Sequence, residues 1–236
     1  MKITLRKQKK EPLPPLVIPA GDGTPLQKFS GEVVDNLRYM VTRILRNGQL
    51  PSRLSMVSAL RGEGVTYLSQ ALAATIAHDM KARICVVDLN WWWPSPAIMA
   101  ANDNPGLAAV IAKEAKLDDV IAPTGWSNLM FIPAGNMAIE HRPVMARSQE
   151  LQDAINNLST RFDFLILDIP AIHSTSDAIP LASLGDACCL VVRQGITTVE
   201  DVRLGLDEID HIPMLGVVLN RVKLATPTFV TKLIPA

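Results

Sequence analysis

Residues 54–74 read LSMVSALRGEGVTYLSQALAA. A short run of apolar and small residues stops at Arg61-Gly62-Glu63-Gly64, and a helical periodicity begins at Thr66. Strand, glycine loop and helix, in that order, is the layout of a phosphate-binding loop. Glycines let the backbone curl with its N–H groups inward, and the helix start adds the positive end of its dipole. The common form of the loop is G-x-x-x-x-G-K-[ST]. Here Ala59 stands at the first glycine and Val65 at the lysine, while Gly64 and Thr66 match. The frame for a phosphate is present and its principal cation is missing.

Upstream of this stretch, Ser30 and then Glu32 open a predicted helix. Val33, Leu37, Met40, Val41 and Leu45 recur along it, and Gly48 ends it. Residues 1–28 combine Lys2, Arg6, Lys7, Lys9 and Lys10 with Pro12, Pro14, Pro15 and Pro19. That composition reads as a flexible arm, either solvated or touching anionic lipid. Residues 29–236 read as one domain. Downstream, predicted strands lie at ARICVVDLN (82–90), Asn128–Pro133, Phe162–Asp168, Ala187–Arg193 and Met214–Asn220. Helical patterns separate them after Asn104-Pro105-Gly106 through Ala112, at Leu117–Ile121, Ser148–Leu158, Ser176–Leu184 and Thr197–Ile209. Apolar strands alternating with helices imply an α/β fold, a doubly wound, mostly parallel sheet covered on both faces. In such sheets ligands collect at the carboxyl ends of the strands.

Composition bounds the reading. Of the 236 residues, 48% are hydrophobic and 19% charged, enough for a sizeable core and far from a disordered chain. Formal net charge is zero and no basic stripe marks the domain, so nucleic acid is not an expected partner. Cys85, Cys188 and Cys189 sit inside apolar runs and read as small buried residues. No apolar run reaches the roughly 18–20 residues of a membrane span. The expected location is the cytosol, or the inner face of the plasma membrane.

Two more strand ends carry chemistry. Asp88 closes ICVVD and Asp168 closes FLILD. A short apolar strand ending in Asp is how a second phosphate-site motif holds Mg²⁺, commonly through water, and the Thr66 hydroxyl is the expected direct ligand. Either Asp alone is a common cap or turn residue; the two together with the loop, in this order, indicate a nucleotide site. Trp91, Trp92 and Trp93 follow Asp88. Three tryptophans in one loop cannot all be core, and they read as a partner surface or as packing under the next helix. His173 reads as a loop residue.

With these motifs in place, the chain resembles the bacterial tyrosine kinase family, P-loop proteins of capsule and exopolysaccharide synthesis related to septum-positioning and partitioning ATPases. The likeness runs from about Gly31 to Val222. It rests on RGEGVTYLSQALA, VVDLNWWWP, NPGLAAVIAKEAKLDDVIAPT, NLMFIPAG, FDFLILDIPA, SDAIPLASLGDACCLVVRQGITT and LGVVLNRV. The resemblance implies ATP and Mg²⁺ as cofactors. It implies a nucleotide site at Arg61, Gly62, Glu63, Gly64, Val65, Thr66 and Tyr67, with Asn220 and Arg221 near the adenine. Asp88 and Asp168 would be the catalytic carboxylates, with Asp168 and Thr66 in the metal shell. It also implies oligomer contacts through E-x-x-R-x-x-R, kept as Glu32 and Arg38 with Asp35 between. The implied partner is a membrane-embedded chain-length or export protein, or an active kinase homologue.

The departures are as informative. Val65 removes the loop lysine, Leu60 replaces the extra lysine of partitioning ATPases, Asn90 replaces the second aspartate of the family's pair, and Trp92 takes a basic position. Arg61 is the one basic side chain in the loop. Tyr39 and Tyr67 are the only tyrosines, and KLATPTFVTKLIPA at the C-terminus has none. The reading is therefore a kinase-like regulator with impaired or absent phosphoryl transfer. Two alternatives stay open: an active kinase using Arg61 as its cation, and an interaction module that binds no nucleotide.

Overall fold

The computed structural model describes residues 13–94 and 104–222. The basic cluster at Lys2–Lys10 and the tyrosine-free C-terminal segment lie outside those residues.

The chain enters through a hairpin, β1 (Leu16–Pro19) and β2 (Pro25–Phe29), paired antiparallel. This corrects the expectation of an arm ending at residue 28. Leu16, Ile18 and Phe29 are buried against the helices that follow, so the hairpin belongs to the folded domain. Its prolines sit at strand termini, where a missing N–H interrupts no ladder. Helix α1 (Gly31–Asn47) follows, with the Ser30 hydroxyl accepting the Val33 N–H at 3.3 Å as its N-cap.

Among the described residues the central sheet has seven strands. In chain order they are β3 (Arg53–Ser58), β4 (Ile84–Asp88), β5 (Ala122–Pro123), β6 (Leu129–Ile132), β7 (Phe164–Asp168), β8 (Ala187–Arg193) and β9 (Met214–Asn220). Their spatial order is β5-β6-β4-β7-β3-β8-β9, with every neighbouring pair parallel except β5 and β6. The doubly wound, mostly parallel α/β reading is what the structure has. β3, β4 and β7 are buried almost throughout, as strands covered on both faces must be.

Helix α2 (Val65–Met80) packs with α1 on one face, and eleven of its sixteen residues are buried. Its mixed apolar surface, rich in Ala71, Ala73, Ala74 and Ala77, lets it lie close to the strands. The other face carries α3 (Gly106–Ile111), α6 (Gln149–Arg161) and α7 (Ala178–Ala182), reached through the short α4 (Leu117–Val120) and α5 (Arg142–Met145). Helix α8 (Val199–Glu208) connects β8 to β9. The three cysteines are buried and unpaired, and burial pushes the Cys188 and Cys189 thiols up to about 12, so they stay neutral. Among the described residues, no helix is long and apolar enough to cross a membrane.

Sheet order brings the predicted positions together. β4, β7 and β3 lie side by side, and Asp88 and Asp168 are register partners across the β4–β7 pair. The phosphate loop leaves β3 immediately beside Asp168, and Arg193 and Asn220 end the two strands on its other side.

Candidate nucleotide site

The loop between β3 and α2 curls through two left-handed positions, Gly62 at φ 77° and Gly64 at φ 99°. Gly64 is required twice over. Its φ disfavours a side chain, and a Cβ there would lie 2.3 Å from the Asn220 Nδ2. The Asn220 amide donates to the Glu63 carbonyl at 2.7 Å, so it braces the loop at the start of α2. Arg221, at φ 55°, turns the chain away after β9, its N–H donating to the Asn220 Oδ1 at 2.8 Å.

At the lysine position, Val65 is 8% exposed and packs into the core cluster formed with α1 and the sheet. The first turn of α2, Val65-Thr66-Tyr67-Leu68, carries no charged side chain of its own. Arg61 is exposed, and its guanidinium stacks over the Trp93 ring at 3.5 Å, joining the phosphate loop to the loop that follows Asp88. The Arg193 Nη1 reaches the Gly62 carbonyl at 3.4 Å.

Asp168 is buried beside Asp88, and its Oδ1 has no hydrogen-bond partner. Burial first, and the Asp88 carboxylate second, push Asp168 well above the usual carboxylate range; the Thr66 hydroxyl works the other way. Asp88 accepts the Asn90 N–H at 2.8 Å through Oδ1. Two buried carboxylates facing one another, one with an orphaned oxygen and a threonine hydroxyl alongside, form a donor set for a hard divalent cation. Mg²⁺ fits these residues: it would be held by Thr66 and Asp168 with Asp88 behind, and would supply charge neutralisation for a phosphate. The phosphate end of the loop fits less well, because Val65 offers no charge.

Asn90 has a local task. Its Oδ1 accepts the Trp93 N–H at 3.1 Å, closing a turn that sends the three tryptophans in different directions. Trp91 is 2% exposed, lies in the core, and donates from Nε1 to the Ala134 carbonyl at 2.8 Å. It is therefore not a partner surface. Trp92 is half-buried against the same core, with the Arg142 guanidinium 5.6 Å from its ring. Trp93, 37% exposed, is the most exposed of the three, with the Arg61 guanidinium over one face of its ring. Trp91→Phe should lower stability by about 1 kcal/mol, since it removes one of the two hydrogen bonds to the Ala134 carbonyl, which keeps the Ala108 N–H at 3.0 Å, and leaves part of the indole volume unfilled. Urea unfolding of the two proteins measures this.

A cleft of about 620 Å³ opens between α1, the start of α2 and the end of β9, lined by Glu32, Asn36, Gly64, Tyr67, Asn220 and Arg221 among others. It adjoins the phosphate loop through Gly64 and Asn220. Tyr67 stands edge-on to Phe29, ring centroids 5.3 Å apart. Glu32 lines this cleft, whereas Arg38 is engaged within the chain, its Nε and Nη2 on the Asp79 carboxylate at 2.7 and 3.1 Å. The two residues expected at an oligomer contact thus do different things. His173 is exposed within a single 3₁₀ turn, Ile172–Ser174, rather than a loop, and its backbone N–H donates to the Ala59 carbonyl at 3.1 Å. Sequence reasoning missed Arg193, Thr197 and the bracing role of Asn220; their partners in the loop lie 130 residues or more away, beyond any local pattern.

No protein-family model matches the chain. Among curated proteins it is 26% identical over 193 residues to the tyrosine-protein kinase CpsD of Streptococcus agalactiae, covering 80% of this chain and 83% of that one. It is 27% identical over 215 residues to the succinoglycan biosynthesis transport protein ExoP of Rhizobium meliloti, covering 85% of this chain but 27% of ExoP. Among solved structures, the kinase domain of the Escherichia coli tyrosine kinase Etk superposes with a TM-score of 0.73 at 21% identity, covering 84% of this chain and 80% of that one, a likeness of fold. The septum site-determining protein MinD of Pyrococcus horikoshii, solved with Mg-ADP, gives a TM-score of 0.61 at 25% identity over 78% of this chain and 76% of that one. The homologues of this chain are thus bacterial tyrosine kinases, and kinase domains of such enzymes share its fold.

Proposed function

We propose that this protein is a kinase-like regulator of exopolysaccharide synthesis and export that binds Mg-nucleotide weakly and transfers phosphoryl poorly or not at all. The observation that carries the reading is Val65, which points its side chain into the core at the place of the loop lysine while the rest of the frame is kept. Gly62 and Gly64 hold their left-handed turns, and Asp88 and Asp168 stand side by side at the strand ends. The relatives support the polysaccharide setting. On this reading the protein acts by docking on a membrane-embedded chain-length or export component, or on an active kinase homologue, as an oligomer at the inner face of the membrane.

The site's charge specifies the ligand form. Glu63 and Asp88 are buried acidic side chains beside the buried Asp168, and the Arg61 guanidinium is exposed over the Trp93 ring. A bare polyphosphate meets repulsion here, whereas a metal-complexed one does not. A thermal-shift titration tests the reading. Mg-ATP at ten times its Kd should stabilise the protein by about 1.4 kcal/mol, a rise of roughly 3–6 °C for a chain of this size. ATP with EDTA should leave the melting temperature unchanged. No shift with millimolar Mg-ATP would favour an interaction module that binds no nucleotide.

The Arg61–Trp93 stack favours a second reading, an active kinase with Arg61 in place of the lysine, because it holds the guanidinium between the two loops of the site. That reading requires Arg61→Ala to abolish the Mg-ATP shift. An unchanged shift in this variant removes it.

A further inference from the structure

Glu63 is fully buried in the middle of a segment built to surround an anion. Its Oε2 accepts the backbone N–H of Leu60 at 2.8 Å, three residues back in the same loop. Its Oε1 accepts the N–H of Arg193 at 3.0 Å, at the end of β8, and the hydroxyl of Thr197, whose own oxygen shares the Arg193 N–H at 3.2 Å, so the carboxylate fixes the hydroxyl that would otherwise be that N–H's sole acceptor. One carboxylate therefore serves three donors on two segments, 130 residues apart in sequence. The bonds from Arg193 to the Gly62 carbonyl and from Asn220 to the Glu63 carbonyl reinforce the same seam.

A loop with inward N–H groups and two left-handed glycines has little of its own to keep it in one shape when no anion is bound. A buried carboxylate holding a loop N–H supplies the missing constraint, because leaving such donors without an acceptor is costly. The geometry points to Glu63 as a positioning residue, an internal anion that holds the phosphate loop and the Arg193–Thr197 turn in one arrangement before any phosphate arrives. This holds whether or not the loop still takes a nucleotide. It also makes the two segments move together. The turn carries Ile196, 54% exposed, and leads into Val199, 86% exposed.

Amide hydrogen exchange on the ligand-free full chain tests this. In Glu63→Ala, exchange at Leu60 and at Arg193 should rise together, each at least about tenfold, while the amides of β4 and mid-α2 keep their parental rates. Glu63→Gln, with one acceptor oxygen in place of two, should protect one of the two segments and release the other. A parental rate at either segment in Glu63→Ala would overturn the inference. So would a uniform rise through the sheet, which would make Glu63 a general stability residue. If Glu63→Ala does not fold, Glu63→Gln decides alone, and parental rates at both segments in it overturn the inference.

Discussion

Val65→Lys is expected to tighten Mg-ATP binding roughly 10- to 100-fold while lowering the melting temperature of the ligand-free protein. A single hydrogen bond to a charged group contributes about 1.5–3 kcal/mol, and about 1.4 kcal/mol is a factor of ten in affinity. The cost arises at the same atom. Val65 packs among the apolar side chains under α1, and an ammonium placed there must leave that cluster and reach toward the loop. Losing the valine packing and straining the new side chain should cost about 1–3 kcal/mol. Paired thermal-shift titrations separate the two effects, since one appears at zero ligand and the other in the concentration dependence. An affinity that does not change would mean that the loop does not hold phosphates at the start of α2.

Asp168→Asn should stabilise the ligand-free protein at neutral pH and lose that advantage in acid. Burial and the Asp88 carboxylate raise the Asp168 pKa, so the folded state keeps a proton that the unfolded state releases. Between the ordinary carboxylate value and the raised one, the folded protein binds more protons than the unfolded, and stability falls as pH rises. Below that window both states are protonated and the penalty is absent. Asparagine does not titrate, and its amide can donate to Asp88 as the protonated carboxyl does, without the cost of holding a proton above the ordinary carboxylate value. Relieving an unpaired buried polar group is worth about 1–3 kcal/mol, roughly 2–10 °C in melting temperature for a chain of this length. Melting curves across pH should show the gap between variant and parent widening from about pH 4 upward. Mg-ATP should narrow it, because the parent gains a metal ligand that the variant lacks. A constant gap at every pH would mean that Asp168 is not held protonated.

Much of this site was legible before the structure. The strand, loop and helix across residues 54–74 could be read because apolar residues, Gly62 and Gly64, and a helical period follow one another within 21 positions. β3 and α2 have those bounds within a residue or two. Asp88 and Asp168 could be singled out because each ends a buried strand, yet their pairing depends on β7 lying between β3 and β4, which spacing alone does not dictate. The hairpin at Leu16–Phe29 was hidden by its prolines, which look like an arm until the strands are seen to place Pro19 and Pro25 at their ends. Trp91, Trp92 and Trp93 are indistinguishable in sequence. The Asn90 turn separates them into a core residue, a half-buried one and an exposed one. Asn90 and Glu63 teach the same lesson. One stands where a charge was lost and the other inside the loop's consensus, and each makes contacts that residue type alone does not announce.

The measurement that bears most directly on the central claim is phosphoryl transfer itself. The purified chain is incubated with γ-labelled ATP and Mg²⁺, alone and with a tyrosine-rich peptide, beside Asp168→Ala as the control. Little or no label above the control is expected on protein or peptide. Substantial label on a tyrosine that the parent transfers and Asp168→Ala does not would contradict that claim.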